Sequence, residues 1–210
     1  MLHYTAIGDA GEALDRLCSP EFEVSSHYLI AADGTLFQLV AEDKRAWHAG
    51  QGEWHGRGDV NSRSVGIELD NAGDAPFAEP QMKALETLLP ELMQRWNIPP
   101  QNVIAHSDFA IGRKTDPGQK FDWHRLARSG LSIWPQQGEG VQPDRARFAA
   151  AAGRIGYPTA AGDGEFQLLL DAFRLRFSPW RKGKLTAADM HAVMDLANRF
   201  GADNLDRSEE

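Results

Sequence analysis

The stretch SHYLIAADGTLFQLVA at residues 26–41 decides the fold of the first part of this chain. Residues 26–32 and 35–41 are two β-rich runs of mostly apolar side chains. The dipeptide Asp33-Gly34 between them is a strong signal for a two-residue hairpin turn, because both of its residues tolerate the backbone angles that such a turn requires. The stretch therefore predicts two antiparallel strands.

The segments around this hairpin alternate between strand and helix patterns. Residues 2–5, 65–69 and 102–106 are typical of strands, and a short helix is expected at 12–17, ending before Pro20. A longer helix is predicted at 79–96 from apolar residues at helical spacing, namely Met82, Leu85, Leu88, Leu89, Leu92, Met93 and Trp96. The alternation predicts an α/β fold with a mixed central β-sheet flanked by helices.

The last third of the chain has a helical pattern throughout. Helices are expected at 144–152, 165–177 and 187–200, with Thr186 and Asp189 forming a cap at the start of the last one. The stretch from 134 to 143, WPQQGEGVQP, is polar and rich in Gly and Pro, as linkers are. We therefore predict two domains: residues 1–139, and a small three-helix domain at 140–210.

Composition excludes several classes of protein. The chain has 22 basic and 30 acidic side chains, a net charge of −8, which disfavours a nucleic-acid partner. The single cysteine, Cys18, cannot form an internal disulfide, and no apolar run approaches the ~20 residues of a membrane span. The opening Met1-Leu2-His3 shows no basic and apolar leader, which predicts a cytoplasmic protein, or one of the cell envelope if upstream residues are missing. We expect a monomer.

Six of the seven histidines precede residue 140, so metal chemistry is expected in the first domain. A catalytic zinc ion needs three protein ligands and one open position. His106 and Asp116 are joined by a loop whose composition favours turns, so their side chains can converge, and His3 is one choice for the third ligand. Spacing alone does not choose among the histidines, and three others compete with His3 on equal terms: His27, His48 and His55.

Two charged residues are candidates for catalysis. Glu68 lies in an apolar strand, where a carboxylate is costly unless it faces a polar cavity or a metal, so it is a candidate general base. Lys114 lies two residues before Asp116 and could stabilise an oxyanion. The alternatives are that Glu68 lies on the exposed face of an edge strand and that Lys114 is a solvated loop charge.

Together these residues resemble the type-2 zinc amidases, the N-acetylmuramoyl-L-alanine amidases. The resemblance covers residues 2 to about 134 and is carried by HYT (3–5), VSSHY (24–28), AWHAG (46–50), SVGIE (64–68), AHSD (105–108) and RKTDPG (113–118). It implies the mixed-sheet fold shared with peptidoglycan recognition proteins. It also implies hydrolysis of the amide bond between the lactyl group of N-acetylmuramic acid and the L-alanine of the stem peptide, in peptidoglycan or in muropeptides.

The resemblance also chooses among the candidate residues. It implies one zinc ion per chain, held by His3, His106 and Asp116, with Glu68 as the catalytic glutamate and Lys114 as the catalytic lysine. Glu68 would take a proton from the attacking water and return it to the departing amine. Lys114 would help to hold the oxyanion.

Trp47, His48 and Asn61 fall where the wall of the substrate cleft is expected. The alternative is that Trp47 packs in the core and His48 bonds a backbone carbonyl. We interpret His27 as structural, and Asp108 as a residue that orients a neighbouring metal ligand or caps a loop.

The second domain resembles, more loosely, the three-helix peptidoglycan-binding modules attached to some of these amidases, through residues 168–173 and 177–183. The alternative is a helical bundle that only packs on the first domain. Two other functions stay open: a peptidoglycan recognition protein that binds without cutting, and a zinc amidase acting on another N-acyl peptide. The choice between intact peptidoglycan and 1,6-anhydro fragments as substrate also stays open.

Overall fold

A computed structural model describes residues 1–160 and 162–202 of the chain. Strands are named β1–β4 and helices α1–α7 in chain order. The strands are β1 (Leu2–Tyr4), β2 (Tyr28–Ile30), β3 (Leu36–Gln38) and β4 (Ile67–Leu69). The helices are α1 (Ala10–Cys18), α2 (Glu79–Arg95), α3 (His106–Phe109), α4 (Trp123–Arg128), α5 (Arg145–Ile155), α6 (Asp163–Phe177) and α7 (Ala187–Phe200).

The four strands form one mixed sheet in the order β1-β4-β2-β3. β4 is parallel to both β1 and β2, and β2 pairs antiparallel with β3 across the Asp33-Gly34 turn. The predicted hairpin and the predicted mixed sheet with flanking helices are confirmed. Each strand is shorter than the run of residues that predicted it. Only three residues of each run pair with a neighbouring strand, and the rest of the run is irregular backbone.

The strand predicted at residues 102–106 is wrong. The structure has a single parallel bridge there, between Ala105 and Leu2, and His106 begins α3. The physical reason is the carboxylate of Asp108, which accepts a hydrogen bond from the backbone N–H of Ala105 at 2.9 Å and so starts a helix. His106 is therefore held at the first turn of a helix rather than at the end of a strand.

The three helices predicted at the end of the chain are confirmed as α5, α6 and α7. Thr186 caps α7: its hydroxyl accepts from the Asp189 N–H, and the Asp189 carboxylate accepts from the Thr186 N–H. Residues 134–143 contain neither helix nor strand. Placing a domain boundary within them remains a prediction.

The described residues form two apolar clusters. One packs α2 against the sheet and includes Leu2, Ile30, Ile67, Leu69, Leu85 and Leu89. The other joins α5, α6 and α7 to residues of the first part of the chain, among them Met1, Trp54, Ile104 and Phe109. Within the described residues, every helix falls short of the length and apolar character needed to cross a membrane.

Candidate metal centre

Strand alternation places His3 and Glu68 on one face of the sheet. Neighbouring residues of a strand point to opposite faces. Leu2 on β1 and Ile67 and Leu69 on β4 face the α2 core, so the residues between them face the other side. Because β1 and β4 run parallel with His3 directly opposite Glu68, these two side chains lie next to each other above the sheet.

The segment from His106 to Asp116 brings two more polar side chains to this face. It consists of α3 followed by a turn through Gly112, whose φ of +72° is one that glycine adopts at low cost. The backbone N–H of Ser107 donates to the carbonyl of Asp116 at 3.0 Å, which ties the end of the loop to the start of the helix. This closure puts the Asp116 carboxylate beside the imidazole of His106.

Three ligand atoms meet at one point. Nδ1 of His3 lies 2.9 Å from Nδ1 of His106 and 2.9 Å from Oδ2 of Asp116, and the distance from His106 Nδ1 to the same oxygen is 3.0 Å. All three residues are buried. The predicted grouping is therefore present in the structure, although the three residues are separated by up to 113 positions in the chain.

The backbone fixes the tautomer of His106. Its Nε2 lies 2.9 Å from the carbonyl oxygen of Ala49, and because a carbonyl can only accept, Nε2 carries the proton. In a neutral ring the other nitrogen, Nδ1, then offers a lone pair toward Asp116. The same carbonyl also accepts a hydrogen bond from the guanidinium of Arg113 at 2.8 Å.

A chain of hydrogen bonds fixes the tautomer of His3 in the same way. The Ser64 hydroxyl donates to the carbonyl of Val60 at 2.6 Å, so Ser64 Oγ accepts from Nε2 of His48 at 3.2 Å. Burial lowers the pKa of His48 well below its usual value, so the ring is neutral and its Nδ1 accepts from Nε2 of His3 at 3.0 Å. His3 therefore also turns an unprotonated Nδ1 toward the common point.

The charges at this point suit a cation. Burial lowers the pKa of His3 to about 4, even though the neighbouring Asp116 opposes the shift, so the ring is neutral at pH 7. Two lone pairs and a carboxylate oxygen thus lie within 3.0 Å of one another.

Three acceptor atoms this close repel one another unless a cation lies among them. Two imidazoles and one carboxylate are also a donor set that zinc takes in catalytic sites, where a fourth position stays open. The residues present therefore fit a zinc ion.

Glu68 stands beside these ligands with an unusual carboxyl group. Among the described residues its Oε2 atom is buried and has no hydrogen-bond partner. Burial is the first cause that raises the pKa of Glu68 well above its usual value, the negative Asp116 is the second, and the positive Lys114 opposes both. A carboxyl group with a raised pKa can both accept and return a proton near neutral pH.

A cleft of about 430 Å³ opens onto this group. Lys114 and Trp47 line it together with His3, Glu68 and Asp116. The Trp47 side chain is 57% exposed, and the guanidinium of Arg45 lies 4.3 Å from its ring centre. Trp47 is thus at the rim of the cleft rather than in the core.

The structure gives the remaining candidates mainly local contacts. The Asn61 side-chain carbonyl accepts hydrogen bonds from the backbone N–H groups of residues 48 and 49. Both ring nitrogens of His27 are engaged by backbone, Nδ1 by the N–H of Gly66 and Nε2 by the carbonyl of Lys44. His48 lines the cleft and also supports His3. Substrate contact by Trp47, His48 or Asn61 remains a prediction.

Sequence reasoning missed several supporting groups. The carbonyl of Ala49, the hydroxyl of Ser64 and the guanidinium of Arg113 all position the site. All three residues lie inside blocks that carry the family resemblance, but nothing in the sequence marked them as supports. Gly66 offers one signal, because a Cβ there would lie 2.5 Å from the ring of His48. A glycine inside an apolar strand often marks such a close approach.

A mixed sheet that carries a His-His-Asp donor set able to hold a metal ion, with a partly buried glutamate beside it, is an arrangement typical of metal-dependent hydrolases. Residues 1–119 match the family model described as N-acetylmuramoyl-L-alanine amidase. The chain belongs to the N-acetylmuramoyl-L-alanine amidase family.

Curated relatives and solved structures agree with this assignment. The chain is 34% identical to the N-acetylmuramoyl-L-alanine amidase AmiD of Escherichia coli K12, over 97% of this chain and 83% of AmiD. It is 42% identical to the 1,6-anhydro-N-acetylmuramyl-L-alanine amidase AmpD of Enterobacter cloacae, over 49% of this chain and 55% of AmpD.

The solved complex of E. coli AmiD with anhydro-N-acetylmuramic acid-L-Ala-D-gamma-Glu-L-Lys superposes with a TM-score of 0.87 at 33% identity, covering 95% of this chain and 88% of that one. The complex of Pseudomonas aeruginosa AmpDh3 with anhydromuramic pentapeptide gives a TM-score of 0.85 at 32% identity, covering 96% and 91%. The predicted family, fold and enzyme class, an N-acetylmuramoyl-L-alanine amidase, are thereby confirmed.

Proposed function

We propose that this enzyme hydrolyses the amide bond between the lactyl group of N-acetylmuramic acid and L-alanine in muropeptides, with one zinc ion held by His3, His106 and Asp116. The observation that carries the proposal is the convergence of their three ligand atoms within 3.0 Å, beside the buried carboxyl group of Glu68. When bound, zinc supplies Lewis acidity, which makes a water molecule acidic enough to ionise near neutral pH.

Glu68 moves the proton in this reaction. As a carboxylate it accepts a proton from the attacking water, whose oxygen forms a bond to the amide carbon. As a carboxylic acid it then gives that proton to the nitrogen of L-alanine, so the C–N bond breaks and a free amine leaves. The raised pKa of Glu68 suits this transfer, because it makes the carboxylate a stronger base in the first step and lets the carboxylic acid hold the proton until the amine leaves.

Lys114 supplies positive charge where negative charge develops. It lies on the wall of the same cleft, and its positive charge acts to lower the pKa of Glu68. We assign to its ammonium group the role of donating a hydrogen bond to the oxyanion that forms on the carbonyl oxygen.

The cleft suits an acidic peptide attached to a small sugar. Arg16, Arg113 and Lys114 place three cationic side chains on its wall, and Trp47 offers an exposed ring at its rim. Stem peptides carry free carboxylates, as the ligand in the solved AmiD complex does. We therefore propose that this cleft accepts soluble anhydro-muropeptides, the kind of ligand held in the solved AmiD complex.

The proposal is tested by product analysis. The full chain is incubated with an anhydro-muropeptide or with peptidoglycan, with and without a chelator, and the products are identified by mass spectrometry. We expect release of a stem peptide beginning at L-alanine, loss of release on chelation and recovery with zinc. Zinc uptake in one equivalent without release of peptide from either substrate would instead favour a recognition protein.

For residues 140–210 we propose peptidoglycan binding, as the resemblance to helical binding modules predicts. The supporting observation is Trp180, which is 70% exposed at a cleft of about 490 Å³ between α4 and the end of α6. An exposed indole ring offers a flat apolar face for a sugar.

Co-sedimentation with insoluble peptidoglycan tests this second role. Trp180→Ala should lower the bound fraction of the full chain. Trp96→Ala removes another exposed indole, away from that cleft, and should leave the bound fraction unchanged. Equal binding by both variants would indicate helices that only pack on the first domain. The expectation of a monomer is tested separately by light scattering.

A further inference from the structure

A buried ion pair joins α6 to the helix that carries His106. The guanidinium of Arg176 donates to Oδ2 of Asp108 at 2.6 Å, with side-chain exposures of 1% and 0%. Asp108 is two residues after His106 on the four-residue helix α3. The same carboxylate caps this helix at Ala105, so the ion pair acts on the group that fixes where α3 begins.

Tyr157, from the segment between α5 and α6, holds the other oxygen of this carboxylate. Its hydroxyl donates to Oδ1 of Asp108 at 2.6 Å, and Tyr157 is buried. Asp108 thus receives hydrogen bonds from two side chains of the last third of the chain. A buried carboxylate is held in one orientation when both of its oxygens are engaged in this way.

Arg176 reaches further into the first part of the chain. A second nitrogen of its guanidinium donates to the carbonyl of Val103 at 2.9 Å and to the Ser132 hydroxyl at 3.1 Å. Its guanidinium carbon lies 4.3 Å from the ring centre of Trp123 on α4. Arg176 therefore links α3 to the backbone segment that precedes it and to helix α4.

A second contact braces the loop that follows α3. The side chain of Leu168 on α6 lies against Gly112, where an added Cβ would be 2.9 Å from a Leu168 methyl group. Gly112 lies in the turn between His106 and Asp116. Helix α6 thus touches both the start and the middle of the segment that supplies two of the three metal ligands.

We infer that α6, through Arg176 and with the help of Tyr157, positions the metal-binding segment 106–116, so that the helical part of the chain sets the affinity of the amidase site for its metal. The inference rests on the proposed metal centre. Arg176 and Tyr157 are positioning residues, because they act through Asp108 and neither lines the cleft at the metal centre. Removing Arg176 removes no ligand, but it leaves the Asp108 carboxylate buried without its cation and frees α3 to shift.

The chain offers a matched control for this experiment. Arg174 and Asp189 form a second buried ion pair, also at 2.6 Å and with exposures of 2% and 0%, but both residues lie in the last third of the chain. The other hydrogen bonds of Arg174 go to the carbonyls of Gly183 and Lys184. Arg174→Met therefore removes a buried pair of the same length that makes no hydrogen bond to α3, although Asp189 keeps a second ion pair with Arg181 at 3.2 Å.

Two measurements on the full chain compare Arg176→Met with Arg174→Met. In a competitive chelator titration, we expect Arg176→Met to raise the Kd for zinc about tenfold, as loss of a supporting partner does at other metal sites, and Arg174→Met to leave it unchanged. In the metal-free protein, hydrogen exchange of the backbone amides of residues 105–110 should be faster in Arg176→Met only. Arg176→Lys keeps one charged donor for Asp108 and should recover part of the zinc affinity.

Tyr157→Phe is the second variant if Arg176→Met does not fold. It removes one hydroxyl from the same carboxylate and should raise the Kd for zinc about threefold. Equal zinc affinities and equal amide exchange in Arg176→Met and Arg174→Met would overturn the inference. A wild-type chain that takes up no zinc would refute the proposed metal centre instead, and the exchange comparison would still decide whether Arg176 holds α3.

Discussion

The four strands of residues 1–139 are each three residues long, whereas the three helices in the described part of residues 140–210 have 11, 15 and 14 residues. A long helix satisfies its backbone groups internally, so its interior face can be almost entirely apolar. Short strands leave long connecting segments, whose backbone groups need side-chain partners. The buried polar residues of the first part include His27, His48, Asn61 and Asp108, each with a hydrogen bond to backbone or to a neighbouring side chain.

The two parts therefore differ in role: the first part holds the groups of the candidate site, and the second part contributes mainly to stability. In the first part, buried polar groups hold loops around a site that gathers acceptor atoms at one point. In the second part, the buried polar groups include two ion pairs, made by Arg174 and Arg176, of which one stays within the helices and the other reaches the site. The regular, apolar helices thus support a region in which many polar groups are buried at a cost in free energy.

The largest expected effect is a loss of catalytic rate when Glu68, in the first part of the chain, is replaced. Glu68→Gln keeps the shape of the side chain but removes the proton acceptor, so kcat should fall by about 10²–10⁴. Zinc affinity should stay unchanged, and the melting temperature should not fall, because an unpartnered buried carboxyl group is replaced by a neutral one. Steady-state kinetics on an anhydro-muropeptide checks the first expectation. A variant that loses zinc together with activity would place Glu68 among the ligands.

The next effect concerns the helical side. Arg174→Met removes the shorter of the two ion pairs of the buried Asp189 and leaves it the contact with Arg181 at 3.2 Å, which should lower the free energy of unfolding by about 1–3 kcal/mol. Urea unfolding followed by circular dichroism measures this change. The specific activity of the folded fraction should stay close to that of the wild type, since the pair lies outside the metal centre. A specific activity that falls with stability would mean that the two regions are not separable in this way.

A smaller effect is expected from the hydrogen-bond chain behind His3. His48→Ala leaves Nε2 of His3 without its acceptor, so the Kd for zinc should rise about tenfold. Ser64→Ala is the matched variant one step further out and should change the Kd less. A competitive chelator titration measures both. The same Kd for His48→Ala and the wild type would leave substrate contact as the role of His48.

The smallest effect is a pH dependence of stability in the helical part. Burial by itself raises the pKa of Asp189, but hydrogen bonds from Arg174 and Thr186 outweigh it, and the net pKa is lowered. A lowered pKa in the folded state stabilises the fold above the unfolded pKa of about 3.9, and this contribution is lost as pH falls through the folded value. The melting temperature of the wild type should therefore drop more steeply below pH 4 than that of Asp189→Asn. Parallel curves for the two proteins would contradict this account.

Much of the fold was predictable because its signals are local. The hairpin at Asp33-Gly34, helix α2 and the cap at Thr186 each depend on residues within a few positions of one another. The strand expected at residues 102–106 was wrong because the carboxylate of Asp108, which starts a helix, outweighed the extended pattern before it.

The candidate site was predictable only in part. Alternation along two strands explains why His3 and Glu68 share a face. From the residues alone, however, four histidines were equal candidates for the third ligand, and only the family resemblance chose His3. In the structure both ring nitrogens of His27 are hydrogen-bonded to backbone groups, and Nδ1 of His48 accepts a hydrogen bond from Nε2 of His3.

The sequence by itself determined the hairpin, the long helices, their order along the chain and the family. Only the tertiary structure decided which atoms meet: Nδ1 of His3 with Oδ2 of Asp116 across 113 positions, and Arg176 with Asp108 across 68. The reason is that helices, turns and caps form from contacts between near neighbours, whereas a metal centre and a buried ion pair require that distant segments be packed in one arrangement. Those contacts exist only once the whole chain has folded.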